Sequence, residues 1–240
     1  MSQTSKRTTT LAGEKVTYEV SRSDDATQPR IDAGIDGITV VLPTTVEENP
    51  ETILAENANW VIEKKTKFER YRDELPERTF EAGELFPYLG EDYELVVEPR
   101  RKSEVVDGKI RLRQSAVDQS SVERALRNFY RRQAREYLSE RLDHYAEEMG
   151  LEYDSVEIRN QRTRWGSCST NGTISLNWRL LMAPTDVIDY VIVHELAHLQ
   201  EPNHTEAFWS IVAQQIPEYE TYSDWLEENS TQLVFSEDDL

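Results

Sequence analysis

His194-Glu195-Leu196-Ala197-His198-Leu199-Gln200-Glu201-Pro202-Asn203-His204 holds three of the four histidines in the chain. On an α-helix, residues four apart lie on the same face, so His194 and His198 can bind one metal ion with Glu195 beside them. Apolar residues at helical spacing would pack this helix into a core: Ile188, Ile192, Leu196 and Leu199. The stretch therefore predicts a buried helix that carries an H-E-x-x-H metal site.

A third ligand is needed, because a catalytic zinc takes three protein ligands and leaves a fourth position for water. His204 follows His198 by six residues, the interval of the metzincin pattern. Glu201 stands where that pattern has glycine, and no methionine follows Met182 to form a Met-turn, so the chain is not an ordinary metzincin. We expect His204 to be the third ligand; the alternative is a carboxylate from Glu206, Glu218 or Glu220.

Three neutral imidazoles would leave a zinc ion its full double charge, which lowers the pKa of a bound water towards about 7. Glu195 could then accept a proton as this water attacks a carbonyl, and return it to the leaving amine. The alternative is a structural zinc site or a packed pair of histidines, but a closed structural site would not need Glu195. One zinc ion per chain and hydrolysis of a peptide bond are the predictions.

The rest of the chain indicates an α+β fold. Residues 1–117 are predicted to form a β-rich region with one helix, which begins at Asn49-Pro50. Its strands are expected at 15–20, 38–42, 93–97, 103–106 and 109–113, the last two joined by an Asp107-Gly108 hairpin turn. Residues 118–240 are predicted to be a helical domain with a short sheet, 155–160 and 173–178, beside the histidine helix. Its long first helix begins at the capping box Ser120-x-x-Glu123 and ends at Gly150.

The composition is strongly acidic: 27 Lys+Arg against 46 Asp+Glu give a net charge of −19 over 240 residues. This argues against wholesale binding of nucleic acid or of an anionic membrane surface, and abundant acids with few lysines resemble proteins of salt-loving archaea. Cys168 is the only cysteine, so no internal disulfide or Cys-based zinc site can form. Because no apolar segment suits secretion or membrane spanning, we expect a cytoplasmic protein.

Several motifs together closely resemble the YgjP-like metallopeptidase domain family, which is related to the SprT-like zinc proteases. They are Arg164-Trp165-Gly166-Ser167-Cys168, Ile174-Ser175-Leu176-Asn177-Trp178, Pro184, Asp189-Tyr190-Val191, the histidine stretch, Phe208-Trp209, Pro217 and Trp225-Leu226. The resemblance covers essentially the whole chain. It implies a zincin-like metallopeptidase domain, with His194, His198 and His204 as zinc ligands and Glu195 as the catalytic base, and it leaves the substrate open.

Two residues near the site are candidates for substrate binding. Asn177 could orient a substrate amide or bond to a neighbouring loop. Arg164 could stabilise an oxyanion or bind a substrate carboxylate, or else form a salt bridge. Strand 173–178 is expected to bind an extended peptide through main-chain hydrogen bonds. Carboxylates should orient the imidazoles, with Asp189, Glu201 and Glu206 as candidates.

Basic residues are concentrated in residues 100–135, where 11 Lys+Arg stand against 4 Asp+Glu. Four of them form a stripe on the long helix, which is either a docking face for a phosphate-bearing or acidic partner or a solvated face: Arg124, Arg127, Arg131 and Arg135. Two alternative functions stay open because of the stripe, Arg162 and Arg164. These are a metal-dependent phosphohydrolase acting on a nucleotide or phosphoanhydride, and a SprT-like protease associated with nucleic acid. A metal-stabilised binding module without turnover is a third, and the sequence leaves the oligomeric state open.

Overall fold

The computed structural model describes residues 6–24, 26–34, 37–161 and 164–235, and these form a mixed α+β protein. The chain divides into two compact units, one that extends to Pro76 and one that covers Glu77–Phe235. The domain boundary expected at 117/118 therefore falls inside the second unit. That residues 118–240 form a domain of their own stays a prediction. None of the described helices is long and apolar enough to cross a membrane.

The first unit consists of a four-stranded sheet and two helices. Its strands are β1 (Arg7–Leu11), β2 (Glu14–Ser23), β3 (Arg30–Gly34) and β4 (Gly37–Pro43), in the order β1-β2-β4-β3. The helices are α1 (Pro50–Glu56) and α2 (Ala58–Asp73), so the single predicted helix is broken at Asn57. The Asn49 side chain caps α1, with Pro50 in the first turn as the sequence predicts. One face of the sheet packs with these helices around a core that includes Val16, Val40, Leu54 and Val61.

The second unit begins with a sheet of the same topology. Its strands are β5 (Leu85–Tyr88), β6 (Glu91–Glu98), β7 (Glu104–Val106) and β8 (Lys109–Arg113), in the order β5-β6-β8-β7. In both sheets two antiparallel hairpins are joined by a central parallel pair, β2 with β4 and β6 with β8. The sequence shows no repeat that would reveal this. Asp107 and Gly108 have φ values of 52° and 69°, as their predicted hairpin turn requires.

A short helix, α3 (Gln114–Asp118), leads into the long helix α4 (Val122–Met149). The cap of α4 is Ser121, whose side chain accepts a hydrogen bond from the Arg124 main chain, so the predicted cap at Ser120 was wrong by one residue. Gly150 ends the helix in the left-handed conformation, as predicted. One face of α4 enters the core, with buried residues at helical spacing: Ala125, Leu126, Phe129, Tyr130, Ala134, Leu138, Leu142 and Ala146.

The C-terminal part builds a three-stranded sheet and three helices. The strands are β9 (Ser155–Arg159), β10 (Gly166–Cys168) and β11 (Thr173–Asn177), in the order β10-β11-β9. After a 3₁₀ turn at Trp178–Met182 come α5 (Thr185–Ala197), α6 (Glu206–Gln215) and α7 (Tyr219–Asn229). Both β10 and β11 contact α5, which confirms the predicted short sheet beside the histidine helix. The stretch Arg164–Cys168, between the two predicted strands, is typical of a turn in sequence, but its residues Gly166–Cys168 form β10.

Candidate metal centre

The three histidines come from the end of one helix and the loop before the next. His194 lies in the last turn of α5, His198 directly follows that helix, and His204 precedes Thr205, the cap of α6. Each offers one ring nitrogen, and these three nitrogens all lie within 4.8 Å of one another. The Nε2 atoms of His194 and His204 are 3.0 Å apart. The structure thus brings together the residues that the sequence analysis selected.

The turn between α5 and α6 has a local cause. The main-chain NH groups of Gln200 and Glu201 both donate to the carbonyl of Ala197, which tightens and ends the helix ahead of Pro202. The Thr205 side chain then accepts a hydrogen bond from the Phe208 main chain and starts α6. His204 is therefore held between a helix end and a helix cap, facing the last turn of α5.

The donor set fits a divalent transition metal. Two nitrogens that bind one zinc ion in tetrahedral geometry at about 2.0–2.1 Å lie roughly 3.3 Å apart, close to the 3.0 Å between His194 and His204. Burial, and next the neighbouring imidazoles of His198 and His204, lower the pKa of His194 to about 3. Burial also lowers the pKa of His198. The lowered pKa values favour neutral rings at His194 and His198, the form in which histidine binds a metal.

Within the described residues, the cluster of potential ligands consists of these three histidines alone. The alternative third ligands Glu206, Glu218 and Glu220 are not part of it. An all-imidazole set suits zinc and its transition-metal neighbours, whereas Mg²⁺ and Ca²⁺ prefer oxygen ligands.

Phe208 forms an aromatic floor beneath the cluster. Its fully buried ring has its centroid 4.9, 4.5 and 4.8 Å from those of His194, His198 and His204. Trp209 stacks on His204 at 5.7 Å and on Tyr219 at 5.0 Å. In the sequence, Phe208 stands out only as part of a family motif. Its position one helical turn after His204 is the signal that could have linked it to the site.

The imidazoles are oriented by fewer carboxylates than expected. His198 Nδ1 lies 3.2 Å from the main-chain carbonyl of Glu201, so Glu201 acts through its backbone. Asp189 instead has both carboxylate oxygens bonded to Arg141 on α4, at 2.8 and 2.5 Å. His194 Nδ1 is buried without a hydrogen-bond partner among the described residues.

Glu195, which follows His194 in the chain, is buried, with 6% of its surface exposed. Burial raises the pKa of its carboxyl group to about 8, and the positive charge of Arg164 opposes this rise. The main chain of β10 runs directly against it. A Cβ atom placed on Gly166 would lie 2.5 Å from Glu195 Oε1 and 2.6 Å from its Cγ. Only glycine leaves room for the carboxylate in this position.

The expectation that strand 173–178 binds an extended peptide is corrected here, because this strand is not at an edge of its sheet. β11 lies at the centre of the sheet, paired with β10 on one side and β9 on the other, so its main-chain groups are already engaged. β10 pairs only with β11 among the described strands and leaves its other edge open. That open strand carries Gly166, next to Glu195.

The two candidate substrate residues have different surroundings. Asn177 is 2% exposed, donates to the carbonyls of Gln161 and Arg164, and accepts from the Arg179 main chain. This arrangement favours its loop-bonding alternative over contact with substrate. The Arg164 side chain is exposed and forms no ion pair with any described residue, so it is available near Glu195. Arg162 lies outside the described residues.

Comparison with known proteins gives one family match. A family model described as YgjP-like, metallopeptidase domain, matches residues 28–229. No curated protein matches the chain. Among solved structures, the chain is similar to the metallopeptidase zymogen abylysin of Pyrococcus abyssi, at 26% identity over 38% of this chain and 93% of that one, with a TM-score of 0.36. The zymogen jannalysin of Methanocaldococcus jannaschii matches at 20% identity over 40% and 94%, with a TM-score of 0.34.

Proposed function

The chain belongs to the YgjP-like metallopeptidase domain family, and on this basis we propose that it hydrolyses peptide bonds at the centre formed by His194, His198, His204 and Glu195. The observation that carries the proposal is the meeting of three ring nitrogens within 4.8 Å, with a buried carboxylate adjacent in sequence to the first histidine. A peptidase acts on peptides or proteins, so these are the partners we assign.

His194, His198 and His204 would hold the metal, for which zinc is the best match to three neutral imidazoles. When bound, such an ion polarises a carbonyl and makes water more acidic. The aromatic floor of Phe208 fixes the plane of each imidazole from below. The ligands are therefore preorganised by packing as well as by the turn after α5.

Glu195 would act as general base and then as general acid. Its carboxylate takes a proton from the attacking water as the new C–O bond forms, and it delivers that proton to the amide nitrogen as the C–N bond breaks. Both steps need a carboxylate that accepts a proton and releases it again, and burial raises the pKa of Glu195 in the metal-free protein to about 8. Its contact with Gly166 fixes where the carboxylate stands.

The open edge of β10 would bind the substrate as an added antiparallel or parallel strand. This would bring an extended peptide alongside Glu195, since β10 itself contacts that side chain. Arg164, exposed and unpaired among the described residues, would bind a developing oxyanion or a carboxylate of the substrate. Neither the phosphohydrolase alternative nor the nucleic-acid-associated protease is favoured by the family match.

The proposal is tested by metal analysis together with a substrate screen. Purified protein should contain about one zinc ion per chain, and His204→Ala should lose it, whereas the exposed His144 on α4 provides the control His144→Ala. Chelation should abolish cleavage of peptides, and phosphoanhydrides should not be cleaved. Tight zinc binding after His204→Ala would transfer the third-ligand role to a carboxylate such as Glu206.

A further inference from the structure

A strongly basic cavity lies in the second unit, away from the histidines. It has a volume of about 590 Å³ and is bounded by the segment after β6, the end of β8, α3 and the first turns of α4. Five cationic side chains line it, and no carboxylate does: Arg101, Lys102, Arg113, Arg124 and Arg132. Such a concentration of positive charge is unexpected in a chain whose net charge is −19.

Neighbouring cations on the same sheet are neutralised, which makes the cavity distinctive. Arg100 pairs with Glu98 and Glu104, Arg111 pairs with Glu98, and Lys109 pairs with Glu94.

In the cavity, by contrast, Arg101, Arg113 and Arg124 form no ion pair with any described residue. The Lys102 ammonium group lies 3.6 Å from a carboxylate oxygen of Glu104, and the Lys102 side chain is 80% exposed. Arg132 donates to the Ser103 carbonyl, a neutral partner. Like charges that are held close together repel one another. A bound anion would therefore stabilise this group of cations.

We propose that this cavity binds a compact polyphosphate, such as the triphosphate group of a nucleotide. Guanidinium groups offer planar pairs of donors that match phosphate oxygens. Five cations exceed what a single carboxylate would neutralise, whereas a triphosphate carries several negative charges within a few ångströms. The volume lies in the range of small-molecule sites, roughly 300–1,000 Å³.

The surroundings favour a compact ligand over a nucleic-acid strand. An adjoining cavity of about 670 Å³ shares Lys102 and Arg132 but adds the carboxylates of Glu104 and Glu136. An extended phosphate backbone that left the basic cavity on this side would therefore meet negative charge. No Lys or Arg follows Arg179, so residues 180–240 offer no basic track.

The site is distinct from the metal centre. The helix α4 contacts α5 through its second half, where Tyr137 bonds to Thr185 and Arg141 to Asp189. Arg124 lies seventeen residues before Arg141, which corresponds to about 26 Å along a helix. The cavity is thus a separate ligand site at the other end of α4, and its assignment does not depend on the proposed peptidase function.

The test is calorimetric titration of inorganic tripolyphosphate into the purified, metal-loaded full chain at low salt. The variant Arg101→Gln/Arg124→Gln removes two exposed cavity cations. The control Arg131→Gln/Arg135→Gln removes the same charge from exposed positions of α4 outside the cavity. We expect saturable binding that weakens at least about tenfold in the first variant and less than about twofold in the control. Absence of saturable binding, or equal weakening in both variants, would overturn the proposal.

Two further measurements show where the ligand binds and to which chemical class it belongs. Binding that survives Arg101→Gln/Arg124→Gln but disappears on chelation would place tripolyphosphate at the metal centre and reject the cavity. A nucleoside triphosphate should displace tripolyphosphate, and an oligonucleotide that binds more tightly than either would overturn the compact-ligand assignment. Thermal unfolding checks that each variant is folded, and Arg113→Gln provides an independent cavity variant that should weaken binding in the same way.

Discussion

Gly166 lies so close to Glu195 that a Cβ atom at position 166 would come within 2.5 Å of the carboxylate oxygen Oε1. The main chain of β10 and the Glu195 side chain are therefore packed so closely that position 166 has no room for a side chain. This contact joins β10 to α5, which carries His194 and ends just before His198. It therefore connects the position of the candidate base to that of the candidate substrate strand.

Gly166→Ala should lower kcat for peptide hydrolysis by about ten- to a hundredfold, since a displacement of about 1 Å of a reacting group has effects of this size. Metal content should stay unchanged, because none of the three histidines contacts Gly166 in this way. The control is Gly34→Ala, where an added Cβ meets nothing within 4 Å. Steady-state kinetics with metal analysis measures both; wild-type kcat in Gly166→Ala would refute the contact's role.

Phe208→Leu should weaken metal binding by about tenfold or more, because the ring beneath the three imidazoles is lost. Stability should also fall, since Phe208 is fully buried. Val212→Ala, another fully buried position one turn along α6, separates the two effects. It should reduce the free energy of unfolding without changing metal affinity in a competition titration. Equal losses of metal affinity in the two variants would mean that α6 acts only through stability.

Arg141→Met should destabilise the second unit by about 3 kcal/mol, because it leaves the Asp189 carboxylate, with only 8% of its side chain exposed, without its bidentate partner. Replacing both partners with apolar residues should recover much of this loss. The exposed pair of His144 and Glu148 on the same helix is the control, and His144→Ala should change stability by less than about 0.5 kcal/mol. Chemical denaturation measures each value. A small effect of Arg141→Met would show that the pair does not hold α4 to α5.

In metal-free protein the raised pKa of Glu195 should contribute a loss of stability as the pH rises from about 5 to 8. Below about pH 6.5 the lowered pKa of His194 opposes this loss, because only the unfolded state still binds a proton there. Burial raises the pKa of the Glu195 carboxyl group from 4.5 to about 8, so the folded state keeps its proton where the unfolded state has released it. The linked loss is about 4 kcal/mol by order of magnitude. Glu195→Gln removes this titration, so its stability relative to wild type should increase between pH 5 and pH 8. A difference that is the same at both pH values would contradict the raised pKa.

The parts of the site that follow from local sequence were predictable. The spacing of His194, His198 and His204 fixes a helical face and the turn after it, and the caps at Asn49 and Thr205 are local signals of the same kind. The α+β fold class and the short sheet beside α5 also follow from periodicity together with the family resemblance. The predicted cytoplasmic location and salt adaptation depend on composition and stay predictions.

Features created by tertiary contact could not be read from the sequence. β10 has only three residues and no alternating pattern, so Gly166–Cys168 resembles a turn until it pairs with β11. The basic stripe is not uniform either: Arg127 pairs with Glu123 and lies over the Phe235 ring, while only Arg124 of the four reaches the basic cavity. A helical wheel cannot show which cations meet residues from a distant strand.

The role of Glu195 is tested by comparing peptide hydrolysis by Glu195→Gln and by wild-type protein, each with its metal content measured. The amide keeps the size of the side chain but cannot accept the proton of water. We expect kcat to fall by about a hundred- to ten-thousandfold, with about one metal ion per chain still bound. An unchanged kcat in fully loaded Glu195→Gln would contradict this role.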